Sequence, residues 1–484
     1  MRPKIEMLSI STIEKILDEA FQLNYKPGIK VQSKYARELL VSAGARVNEN
    51  EEVAQIPEHV ARQALQSAPS KFYLFNRDGE EAVIYGGDDI HFNPGSCGVN
   101  ILVPQTLEHK SSKSQDLIDI IKIVELLPEY DAQSTAIICD DIPKKIGDLY
   151  RLYLVLLLSK KPIVTGAFST KSTSFMFEML SIVSGGSTKL AQKPLAVFDV
   201  CPTPPLIWSE FGAHNLITLA EARIPAQIVS MPLAGATAPI TLLGSLVQHA
   251  AETISGITIH QLACPGSPII WGGAPAIFDM RYGTTPMGAI ETAMLDAAYA
   301  QVGKSLHLPT HTYLGASDAK LVDAQAGIES GIGTLVGALA GVNMISGAGM
   351  LDFLACQSLE KLILDSEVIS MVKRMTSGIQ QHTETLGTEF FAGINFKGEF
   401  LKQKATRQLY RKEHLLPSNV IDRRSIREWQ LGDKSDAFSR ARERVNHLLS
   451  EYERPHFPLE QVHELHKLVS NIAKEAGLFE IPHH

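Results

Sequence analysis

The feature that most constrains this chain is a rhythm. From about residue 90 to residue 350, short apolar runs recur, each followed by a helical stretch: "DIHFNPG", "STAIICD", "PIVTGAF", "PLAVFDV", "PAQIVSMPLAG", "SPIIWGG", "PTHTYLGAS" and "VNMISGAG". Stretches such as "FMFEMLSIVSGG" and "LLGSLVQHAAETISGITIHQL" lie between them. Strands that are apolar throughout, not alternately polar, are those buried on both faces of a parallel sheet. Eight such units in succession predict an α/β protein closed as a (β/α)8 TIM barrel. An open, doubly wound sheet is the alternative, but no strand leads into the G-x-G-x-x-G dinucleotide fingerprint. The nearest match, Gly331, Gly333 and Gly337, has the wrong spacing and falls in a helical run, where small residues allow close packing.

The flanks read differently. Residues 1–90 combine amphipathic helices ("TIEKILDEAFQLN", "PEHVARQALQSAP") with a hairpin, "KFYLFNRDGEEAVIYGG", whose turn is marked by Asp78-Gly79. A second hairpin is expected in "HFNPGSCGVNILV". Residues 91–400 would hold the barrel, and 401–484 a charged helical extension ending in "LHKLVSNIAKEAGLF", suited to capping the barrel or to forming a homo-oligomer.

Composition narrows the function classes. A formal charge of −8 argues against a nucleic-acid binder, which needs a basic surface to gather phosphates. The five cysteines are odd in number and scattered, with no C-x-x-C pair or Cys/His spacing for zinc, so neither a disulfide framework nor a metal site is expected. The N-terminal residues lack an apolar core long enough for a signal peptide, and "LYLVLLLSKKPIV" is too short to span a bilayer. The expectation is a cytoplasmic protein without membrane contact.

Barrel enzymes carry their chemistry where strands end and the following loops begin. Those ends offer Asn93 and Gly95, Asp140 and Asp141, Thr165, Asp199 and Cys201, Met231, Trp271, Thr312, Tyr313 and Ser317, and Ser346. Aromatics, hydroxyls and carboxylates dominate, and no histidine–carboxylate engine is evident. Each has a bland alternative: Trp271 as a core residue, Asp199 as a helix cap, Cys201 and Cys264 as buried thiols without a histidine to activate them. Lys320 is either a Schiff-base lysine or a solvated one on the polar loop "SDAKLVDAQAGIES", and Ile328 by default is a core residue on a first helical turn.

The stretches "MPLAGATAPITLLGSLVQHAAETISGITIHQLACPGSPIIWGG", "FDMRYGTTPMG", "LPTHTYLGASDAKLVDAQAGIES", "LAGVNMISGAGML" and "KQKATRQLY…PSNVIDRRSIREWQ" resemble the trimethylamine:corrinoid methyltransferase family over nearly the whole chain. The resemblance implies a barrel that passes a methyl group from an amine to cob(I)alamin. No D-x-H-x-x-G loop for ligating cobalt is present, so the corrinoid would come on a separate cognate corrinoid protein, with no cofactor bound permanently. The family's methylamine-degrading members use pyrrolysine, and Ile328 aligns with that residue. Isoleucine cannot form an adduct, which turns the expectation to quaternary amines: glycine betaine first, with proline betaine, carnitine and γ-butyrobetaine as alternatives.

By the same resemblance Asp318, Gln325 and Ile328 fall in the catalytic loop. Phe92, Asp199, Trp271, Arg281, Tyr282, Tyr313 and Lys320 are the expected substrate-binding residues, the aromatics caging the cation and Arg281, Lys320 or the "AGATAP" backbone holding the carboxylate. The other readings left open are a Schiff-base lyase, which requires a buried Lys320, and a quaternary-amine-binding protein without catalysis.

Overall fold

The computed structural model describes residues 3–393, 396 and 398–477. Eight parallel strands form its centre: β1 (His91–Pro94), β2 (Gln133–Ser134), β3 (Ile163–Thr165), β4 (Ala196–Val200), β5 (Ala226–Ser230), β6 (Ile269–Gly273), β7 (His311–Thr312) and β8 (Met344–Ala348). Strands β2 to β6 pair in chain order, as do β7, β8 and β1. Two seams join these sets. Trp271 bridges Thr310 between β6 and β7. Between β1 and β2 the Asp131 amide donates to the Phe92 carbonyl at 2.8 Å, and Ser134 Oγ donates to the Gly95 carbonyl at 2.7 Å. The sheet closes on itself, as the rhythm of the sequence predicts.

Each strand is followed by a barrel helix: α1 (Ser114–Leu126), α2 (Gly147–Leu158), α3 (Thr170–Ser184), α4 (Glu210–Ala222), α5 (Leu242–Ala263), α6 (Ile290–Ser305), α7 (Ala324–Leu339) and α8 (Leu359–Thr376). Ser169, Ser209, Thr241, Asp323 and Ser358 cap α3, α4, α5, α7 and α8 through their side-chain oxygens, satisfying amides that a helix start leaves without partners. Glycines allow the closest approaches. Gly333 of α7 lies directly under the Leu314 carbonyl, and a Cβ on Gly303 of α6 would stand 2.7 Å from the Trp271 ring.

Side chains alternate across the wall. Ala132, Val164, Val197, Ile270 and Met344 fill the lower interior, while Ile163, Ala196, Phe198, Val200, Ile269 and Trp271 pack outward under the helices. The lower interior is completed by Phe72, Leu74, Val83 and Tyr85 from the antiparallel hairpin Lys71–Phe75/Glu81–Gly86, which plugs the N-terminal end. Gly79 takes a φ of 79° in its turn, the left-handed conformation for which Asp-Gly is suited.

The second expected hairpin is shifted. "HFNP" is strand β1 itself, and the antiparallel pair is Asn100–Val103 with Glu108–Ser111, beside the C-terminal end of the barrel. The helices before residue 68 pack on α5, and those after residue 436 run down the outside of α8, α1, α2 and α3. One apolar core is continuous between the outer face of the barrel wall, its helices and both flanks, and the lower barrel interior is a second, separate cluster. Residues 478–484, the end of the expected last helix, lie outside the described residues.

Candidate functional site

At the C-terminal end the interior changes from apolar to polar. Asp199 lies on the inward face of β4, because its neighbours Phe198 and Val200 point out to the helices. Gln227 stands beside it on β5, and its Nε2 donates to Asp199 Oδ1 at 2.8 Å. From the end of β7, Tyr313 Oη donates to Asp199 Oδ2 at 3.0 Å. Below them His311 stacks edge-on against Tyr313 and joins Ser346 Oγ, which donates to Asn93 Oδ1. An apolar wall of Val229, Ala274, Ala276 and Met287, with Met231 and Leu354, encloses the other side of Tyr313.

The electrostatics follow from burial. Burial raises the Asp199 carboxyl to a pKa of about 7, with the Tyr313 hydroxyl and Arg151 pulling the other way. Burial also raises the Tyr313 hydroxyl well above its ordinary value, and Asp199 adds to that. It lowers His311 to about 3, so this imidazole is neutral at physiological pH. Cys97 and Cys201 are exposed at the same mouth, which corrects the expectation that Cys201 is buried; Cys264 is partly exposed. Desolvation of the thiol itself, then Asp199 and Cys97, raise Cys201 above its ordinary value.

The polar loop after β7 has a structural order of its own. Asp318 accepts from the Met287 and Gly288 amides at 2.8 and 2.9 Å and so ties this loop to the one before α6. Glu329 accepts from Ser317 Oγ, the Asp318 amide and Gln325 Nε2. Burial, with the Glu329 carboxylate adding and the two amides opposing, holds Asp318 at about 6. Lys320 pairs with Asp352 at 3.2 Å and lies 3.7 Å over the Phe353 ring, its side chain half exposed. That exposure removes the Schiff-base reading. Asp352, Phe353 and Leu354 all have φ between 49° and 69°, three successive left-handed residues at the rim beside Tyr313. Strain of this kind persists only where the surroundings dictate it.

The expected binding residues therefore separate. Asp199 and Tyr313 meet at the mouth. Trp271 and Phe92 are buried among the outer helices: Trp271 packs on Gly303 of α6, and the Lys373 ammonium lies over Phe92 at 5.4 Å. Neither ring faces the mouth. Arg281 and Tyr282 are exposed on the loop before α6, with Arg281 bonded to Asp279 at 2.6 Å. Ile328 is 60% exposed and borders a cavity of about 200 Å³ between α6 and α7, with Ile290 and Ile332. It fills no space inside the barrel.

Two residues of the mouth were not singled out from the sequence. Gln227 leaves no local trace, since "PAQIVS" reads as any buried strand. Arg151 does. It is the only cation in "GDLYRLYLVLLL", a helix whose every residue is buried, and that contrast is a signal in the sequence itself. Among the described residues, no group of three or more His, Cys, Asp or Glu is placed to hold a metal ion, and no helix is long and apolar enough to cross a membrane.

Comparison with known proteins agrees along the length of the chain. Residues 1–477 match the family described as Trimethylamine methyltransferase (MTTB). The trimethylamine methyltransferase MttB of Methanosarcina thermophila is 33% identical over 432 residues, 88% of this chain and 89% of that one. The protein of the same name from Desulfitobacterium hafniense (strain DSM 10664 / DCB-2) is 30% identical over 451 residues, 93% and 90% of the two chains. A glycine betaine methyltransferase from Desulfitobacterium hafniense (strain Y51) is 29% identical over 477 residues, 98% of each chain. Among solved structures, the monomethylamine methyltransferase MtmB of Methanosarcina barkeri superposes with a TM-score of 0.48 at 12% identity, covering 91% of this chain and 93% of that one. The chain belongs to the trimethylamine methyltransferase (MTTB) family and is a methyltransferase.

Proposed function

We propose that the enzyme transfers a methyl group from a quaternary amine, glycine betaine first among them, to the cob(I)alamin of a separate corrinoid protein, releasing dimethylglycine. The observation that carries this reading is the mouth itself: one desolvated carboxyl, Asp199, bonded to Tyr313 and Gln227 and faced by an apolar wall. Such a lining suits a trimethylammonium group, whose methyls need apolar contact and whose charge needs a nearby anion or aromatic face. The full-length similarity to a glycine betaine methyltransferase supports the same substrate class.

The reaction asks little acid–base chemistry of the protein. A quaternary nitrogen leaves as a neutral tertiary amine when its methyl carbon is attacked in line, and no proton need be supplied. The site's histidine, His311, is neutral and bonded within the barrel. What remains is positioning, which can contribute about 7–11 kcal/mol. Asp199 and Tyr313 hold the nitrogen, the apolar wall excludes water, and one methyl is presented outward. Charge on nitrogen fades as the methyl leaves, so an overly tight grip would stabilise the ground state and slow transfer. A carboxyl poised near neutrality, already sharing its charge with two donors, grips loosely.

No side chain of the mouth can form a covalent adduct with trimethylamine. The direct test is anaerobic incubation of the protein with cob(I)alamin and a panel of donors, following methylcobalamin in the visible spectrum. Methylation from glycine betaine, proline betaine or carnitine but not from trimethylamine is expected. Preference for trimethylamine would overturn the reading. Betaine binding without any transfer would favour a binding protein instead.

A further inference from the structure

Arg151 is buried to 0% exposure, and among the described residues no carboxylate lies within ion-pair distance of it. It extends from α2 toward the ends of β2 and β3. One terminal nitrogen donates to Thr135 Oγ1 at 2.6 Å, and both touch only the Cys97 sulfur otherwise, at 3.8 Å. Its Nε–H is buried without a partner. A guanidinium has five donors in a fixed fork, and here a single oxygen answers them. Burying a cation without a counter-charge is costly. The neighbours offset only part of that cost: the Phe168 ring lies 5.0 Å from the guanidinium carbon, and Thr135 shares its hydroxyl with Thr165.

The unanswered charge lies just beneath the mouth. Cys97, in contact with it, is exposed there, and so is Phe168. Cys97 also takes a φ of 64°, a left-handed conformation uncommon for a residue with a side chain. Asp199 is near enough for Arg151 to pull its carboxyl downward. Mouth and guanidinium thus present an anionic and a cationic point close together.

We propose that Arg151 is the carboxylate anchor of the substrate, so that the site selects zwitterions whose quaternary nitrogen sits at Asp199 and Tyr313 and whose carboxylate replaces the Cys97 sulfur on the guanidinium fork. The proposal rests on the quaternary-amine reading above. Arginine meets carboxylates through paired, charge-assisted hydrogen bonds, and here the fork meets only one hydroxyl and a weakly accepting sulfur, with Nε unpartnered. The two exposed cations the sequence suggested for the task are already engaged, Arg281 with Asp279 and Lys320 with Asp352.

The experiment compares the full-length wild type with Arg151→Gln and Arg151→Lys, measuring binding by calorimetry for glycine betaine and for choline, which keeps the trimethylammonium group but lacks the carboxylate. The preference for betaine over choline should fall about 10- to 100-fold in Arg151→Gln, the range expected for hydrogen bonds to a charged group, and less in Arg151→Lys. Acetate should raise the melting temperature of the wild type and not of Arg151→Gln. An unchanged betaine-to-choline ratio, or an equal loss of both ligands, would overturn the anchor. If Arg151→Gln does not fold, the Arg151→Lys ratio and the effect of acetate on the wild type decide. Acetate binding that depends on Arg151, with no methyl transfer from any quaternary amine, would leave the anion site standing and sink the quaternary-amine reading alone.

Discussion

Asp199 shows how one side chain can set the behaviour of the mouth. Its pKa of about 7 arises chiefly from burial, so the carboxyl is neutral below that pH and ionised above it. A cation is attracted to the ionised form, so betaine affinity should rise with pH through about 7 and level off above it. Below that midpoint, affinity should fall by up to about tenfold per pH unit. Calorimetric titrations across the range would display it, and Asp199→Asn should bind weakly with no such slope. Tyr313 sharpens the test. Its hydroxyl stabilises the ionised carboxylate, so Tyr313→Phe should move the midpoint upward.

The residue scale is also where sequence reasoning reached least far. Asp199 and Trp271 both end apolar strands, yet one faces the mouth and the other the helices. Parallel strands in a barrel are apolar on both faces, so alternation exists but nothing local says which parity points inward. Register against the neighbouring strands decides it, and that is a property of the closed sheet.

At the scale of elements, the strand–helix alternation was legible because each unit must bury its apolar run and each crossover needs a helix. The first hairpin was legible through Asp78-Gly79. The second was misplaced because "HFNPGSCGVNILV" contains two apolar runs around glycines, and only closure of the barrel shows that the first belongs to β1. Of the α7 glycines, Gly333 and Gly337 serve close packing and approach Leu314, while Gly331 meets nothing. Gly333→Ala should push α7 off the β7 loop and cost about 1–3 kcal/mol, the usual range for overpacking, measurable by urea denaturation. The bonds from Asp318 to the two amides before α6 make a second case. Asp318→Ala leaves both amides without acceptors and should lower stability by about 1–3 kcal/mol.

For the whole molecule, Ile328 marks the difference between aligning a chain and locating a site. The family resemblance leads to the expectation that it holds the catalytic pyrrolysine position, whereas the fold puts it on the outer groove between α6 and α7. Ile328→Ala should therefore leave kcat/KM for methyl transfer within error of the wild type. If methyl transfer happens at the mouth defined by Asp199 and Tyr313, the ionisation of Asp199 must show in the rate. The rate of methylcobalamin formation from glycine betaine, followed across pH for the wild type and Asp199→Asn, reads this out. Wild-type kcat/KM is expected to climb through about pH 7 with the ionisation of Asp199, and the variant to be slow and flat. A variant with wild-type rate and wild-type pH profile would contradict it.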